Sequence, residues 1–143
     1  MITIITEMTD EELFKTYWMP LICKYREFKF IFAKTEGLNH PPMNDWSNVL
    51  FAPTKSLEEV IEHAETKFLY LTKQNEIPTY ELMVKLRTPE DGLVPKIHNT
   101  NKQSNSVMIS KKSYNKIPTY IEDVGTYVAV SYTHLRAHET LTD

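Results

Sequence analysis

Polar and apolar positions divide the chain into short periodic stretches separated by two long polar connections. Residues 1–6, Met-Ile-Thr-Ile-Ile-Thr, form a short β-like run. Thr9-Asp-Glu-Glu12 follows as a capping-box pattern, with Thr9 expected as the helix cap. Leu13, Phe14, Tyr17, Trp18, Leu21, Ile22 and Tyr25 then recur at spacings of three and four, one apolar stripe of a helix. Pro20 lies inside that stripe, and a proline there removes a backbone bond and crowds the carbonyl four residues earlier. The stripe is therefore expected to kink, or to split into two short helices with Pro20 in the first turn of the second.

Residues 27–32 alternate, with Phe28, Phe30 and Phe32 on one side and Lys29 and Ile31 on the other, as a strand does. A long connection over 34–55 follows, carrying Gly37, Pro41, Pro42 and Pro53, with a short strand candidate at 47–51. Ser56-Leu-Glu-Glu59 is a second capping box. Behind it Leu57, Val60, Ile61, Ala64, Phe68 and Leu71 keep a helical period that predicts one helix to about Gln74. Residues 79–87 alternate Tyr80, Leu82, Val84 and Leu86 against Glu81, Met83, Lys85 and Arg87, which predicts a strand with one wetter face. A second polar loop covers 88–104, and further strands are expected at 106–110 and 125–128. The hexapeptide Asn75-Glu-Ile-Pro-Thr-Tyr80 recurs as Asn115-Lys-Ile-Pro-Thr-Tyr120, which a proline at strand entry explains without an internal repeat.

The order β-α-β-α-β-β-β, with strands gathered late, predicts an α+β domain. In it a mainly antiparallel sheet is packed by two helical segments, and the chain is cut short at its C-terminus.

That last expectation comes from the tail. Residues 130–140 read Val-Ser-Tyr-Thr-His-Leu-Arg-Ala-His-Glu-Thr, and all eleven resemble, in one frame, the translation of a transposase-type sequencing adapter. The resemblance implies a single domain over 1–128 and a non-native tail over 129–143. It removes the most motif-like feature of the chain, His134 and His138 one helical turn apart, which otherwise imitate half of a zinc site. No family resemblance is found in residues 1–128.

Charge and composition narrow the function classes. The net charge of −3 over 143 residues becomes −2 once the tail is set aside, with 15 Lys+Arg against 17 Asp+Glu. Only Arg26 and Arg87 among those cations are arginine, the residue best suited to bidentate phosphate and base contacts, so nucleic acid is disfavoured as a partner. The abundance of Lys, Asn and Ile suits an AT-rich genome, as in low-GC bacteria and their phages. Three widely spaced glycines, Gly37, Gly92 and Gly125, build neither a phosphate loop nor a dinucleotide fingerprint. The single Cys23 excludes an internal disulfide and reads as a buried inert thiol in a reducing cytoplasm. Residues 1–6 have neither the basic n-region nor the long apolar core of a signal peptide, and no apolar run reaches membrane length, so a soluble cytoplasmic chain is expected.

The candidate chemistry lies in the two long loops. His40, Asp45 and Trp46 occupy the first, and His98 the second, beside Glu90 and Asp91. A histidine near a carboxylate suits acid–base work, and an indole suits anchoring a partner. Prolines stiffening the loop and a buried Trp46 account for the same residues structurally. No metal or cofactor is expected. The reading that follows is a small non-catalytic binding or structural accessory protein with a protein partner at Trp46. A small hydrolase or transferase using His40, Asp45 and His98 is the alternative.

Overall fold

The computed structural model describes residues 2–38, 47–89 and 106–114. Strand β1 (Ile2–Glu7) is followed by a helical run over 11–24 and by β2 (Lys29–Ala33). Next come β3 (Val49–Ala52), α3 (Leu57–His63), β4 (Phe68–Leu71), α4 (Tyr80–Lys85), β5 (Val107–Ser110) and α5 (Lys111–Tyr114).

The helical run is divided as the proline predicts. It comprises α1 (Glu11–Leu13), a π-helical stretch (Phe14–Trp18) and α2 (Met19–Lys24), with Pro20 in the first turn of α2. A proline there has no N–H to leave unsatisfied. In the π stretch the Met19 amide reaches back five residues to the Phe14 carbonyl. The wider turn shifts the apolar face, so Phe14, Trp18, Leu21, Ile22 and Tyr25 are buried while Tyr17 is left 52% exposed. The cap is Asp10 rather than Thr9: its carboxylate accepts the Leu13 amide at 3.1 Å. Aspartate serves there as well as threonine.

The five strands form one sheet in the order β3-β2-β1-β4-β5. β1 runs parallel to both β2 and β4, β2 runs parallel to β3, and only β5 is antiparallel, to β4. The fold is therefore mixed α/β with a mixed sheet. The expectation of a mainly antiparallel sheet is corrected, and two misread segments account for it.

The helix expected to run to Gln74 ends at His63, and Phe68-Leu-Tyr-Leu71 is a strand. Leu69, Tyr70 and Leu71 are buried, and a continuous apolar run buried on both faces has no period with which to declare itself a strand. The strand expected over 79–87 is the helix α4, capped by the Thr79 hydroxyl accepting the Leu82 amide at 3.1 Å. Met83 is its buried residue, and Leu86, the C-cap three positions on, is buried too, whereas Tyr80 and Val84 are exposed. Pro78-Thr79 thus marks a helix start and not a strand entry.

Both sheet faces are covered. Ile5, Ile31, Ala33, Leu69, Leu71 and Ile109 pack with Leu57, Val60 and Ile61 of α3. The alternate residues Ile4, Phe30, Phe32, Tyr70 and Met108 pack with Phe14, Trp18 and Ile22 and with Met83 of α4. Phe14 and Trp18 each meet the Phe32 ring edge-on, at 5.5 and 5.7 Å. Thr3 and Thr66 pair their buried hydroxyls across this frame, their Oγ1 atoms lying 2.6 Å apart. Among the described residues no helix is long and apolar enough to cross a membrane.

Candidate functional site

Parallel strands deliver their carboxyl ends to one edge, and open α/β sheets take their ligands in the crevice outside that edge. Here Glu7, Ala33, Ala52 and Leu71 end the four parallel strands. The edge has three parts.

The first is an open groove of about 470 Å³ beyond β2 and β3, lined by Lys34, Glu36, Pro53, Thr54, Lys55, Ser56 and Glu59. That volume suits a small ligand, for which pockets run from roughly 300 to 1,000 Å³. Its walls are the turns that leave the two strands, stitched together by the Glu36 amide donating to the Pro53 carbonyl at 3.2 Å. Ser56 and Glu59 form the capping box read in the sequence: the Ser56 hydroxyl accepts the Glu59 amide, and Glu59 Oε1 accepts the Ser56 amide. The Ser56 backbone N–H, with the Ser56 hydroxyl and Lys55 as smaller contributors, holds the Glu59 carboxyl below its ordinary range.

Lys34 stands at the head of the groove with φ at +55°, in the left-handed region that a side-chain-bearing residue rarely enters. Its ammonium lies 3.4 Å from Glu7 Oε1. That contact is an ion pair without hydrogen-bond alignment, because Glu7 Oε1 has no hydrogen-bond partner. Thr35 Oγ1 is the other buried side-chain oxygen left without one among the described residues. Buried oxygens without a hydrogen bond are uncommon in folded chains. Both sit at this edge, one at the end of β1 and one just past β2.

The second part is the crevice between β1 and β4, where the strand order reverses. It is closed by the protein's own glutamine. Gln74 Oε1 accepts the backbone N–H groups of Thr9 and Asp10, both at 2.9 Å, and its Nε2 donates to Thr9 Oγ1 at 2.9 Å. The Gln74 carbonyl accepts the Trp18 indole N–H at 2.9 Å. The open part of the edge is consequently displaced toward β2 and β3.

The third part joins β4 to β5. Thr72 Oγ1 and Ser106 Oγ lie 2.6 Å apart, and Ser106 donates to Glu76 Oε2 at 2.9 Å. Tyr70 lies beside this chain of hydroxyls, and burial pushes its phenol well above the ordinary tyrosine range.

His40, Asp45, Trp46 and His98, the residues singled out in the sequence, all lie outside the described residues. So do the strand expected at 125–128 and the adapter-like tail. Lys34 and Lys55, by contrast, are the two ends of the first long connection, and the parallel pairing of β2 with β3 is what turns those ends into one groove. Cys23 is exposed, which corrects the expectation of a buried thiol. Among the described residues no group of three or more metal-ligating side chains converges.

Comparison with protein-family models, with curated proteins and with solved structures gives no match to this chain.

Proposed function

We propose that this chain is a non-catalytic binding protein for a small polar ligand, held in the groove at the carboxyl ends of β2 and β3. One observation carries the reading. The groove and the left-handed Lys34 that lines it lie together at the carboxyl ends of β2 and β3. Backbone strain costs stability, and strained residues cluster where ligands are gripped. Among the described residues the lining carries two ammonium groups, two carboxylates and two hydroxyls, with Pro53 as its one apolar residue and no aromatic side chain. A hydroxylated or charged ligand suits it, and a lipid or a stacking base does not. The exposed, unpaired Cys23 supports placing the protein in a reducing cytoplasm.

The test is a nuclear magnetic resonance titration of the labelled chain with a sugar phosphate, a nucleotide, an amino acid and a polyol. Saturable shifts at Lys34, Glu36 and Thr54 to Ser56 are expected, with the ligand recovered unchanged. Shifts confined to α4 or β5, no saturable binder in that set, or chemical conversion of the ligand would overturn the reading.

We infer in addition that residues 130–143 derive from an adapter and not from the gene. Support comes from the eleven-residue match in a single frame. Resequencing the locus past codon 128 should reveal different codons there, and recovery of the same fourteen codons from genomic DNA would refute the inference.

A further inference from the structure

We draw no further inference here: the strongest candidate, the outer edge of β3 with its 53% exposed Leu50, carries nothing, because nothing among the described residues shows what covers it.

Discussion

Gln74 and Thr9, 65 positions apart, are joined by a reciprocal pair of hydrogen bonds: the glutamine's Oε1 accepts the threonine's backbone N–H, and its Nε2 donates to the threonine's Oγ1, each at 2.9 Å. The same oxygen takes the Asp10 amide. One side chain thereby takes the amide of the N-cap Asp10 and that of the residue before it, and it ties the turn after β4 to the turn after β1.

Gln74→Ala deletes all three bonds. Each is worth about 0.5–1.5 kcal/mol net, and the freed amides can turn to water at this exposed turn, so the loss should fall at about 1–2 kcal/mol. Urea denaturation should show a lower midpoint with an unchanged slope. Hydrogen exchange at Thr9 and Asp10 should accelerate before that of β1. Unchanged exchange at both amides would show that the clasp does not persist in solution.

Lys34 poses a conformational question that two substitutions separate. Lys34→Ala and Lys34→Gly both remove the ammonium beside Glu7, a half-exposed pair whose loss costs less than about 1 kcal/mol. Only glycine also relieves the left-handed backbone at φ +55°. The glycine variant should therefore be the more stable of the two by about 1 kcal/mol, the usual penalty for a β-carbon in that region. Equal midpoints for the two would mean that residue 34 relaxes out of the left-handed conformation.

The capping box at the groove links stability to acid. Ser56→Ala removes the hydroxyl that receives the Glu59 amide and should cost about 1 kcal/mol at neutral pH, typical of a lost N-cap. Glu59 has a lowered folded-state value, so its contribution is present above the unfolded carboxylate value of 4.5 and is lost as pH falls through the folded one. Ser56→Ala weakens that lowering. The stability gap between wild type and variant should accordingly narrow on acidification below 4.5. A gap that stays constant or widens would disprove the coupling.

How much of this was legible depends on how local each signal is. The Ser56–Glu59 box and the division of the first helix at Pro20 are local, and both appear in the fold. The strand sense is not local. Phe68-Leu-Tyr-Leu71 continues the helical spacing of Leu57, Val60, Ile61 and Ala64 by coincidence, and only the slot between β1 and β5 makes it a strand. Tyr80, Leu82, Val84 and Leu86 alternate just as well as a strand would, yet Met83, on the supposedly wet side, is fully buried. At the site, the first long connection was legible as a place of interest. The convergence of Lys34 with Lys55 requires parallel pairing, which no spacing announces. Gln74 read as the tail of a helix, and nothing in its neighbours in sequence points to Thr9.

Tyr70 gives a test of the core from the alkaline side. Its ring is buried and its phenol is raised above the ordinary value of 10.0, burial being the largest cause. A raised folded-state value means that the neutral phenol is the form the fold accommodates. Its contribution is fully present below pH 10 and is lost as pH rises from there toward the folded-state value. Wild type should thus lose stability steeply above pH 10, and phenolate absorbance from Tyr70 should emerge only with global unfolding. Tyr70→Phe keeps the ring and removes the titrating oxygen. It gives up the contact with Ser106 at a cost of about 1 kcal/mol near neutrality, but it should flatten the alkaline limb. If Tyr70→Phe retains the full alkaline loss, other groups drive it.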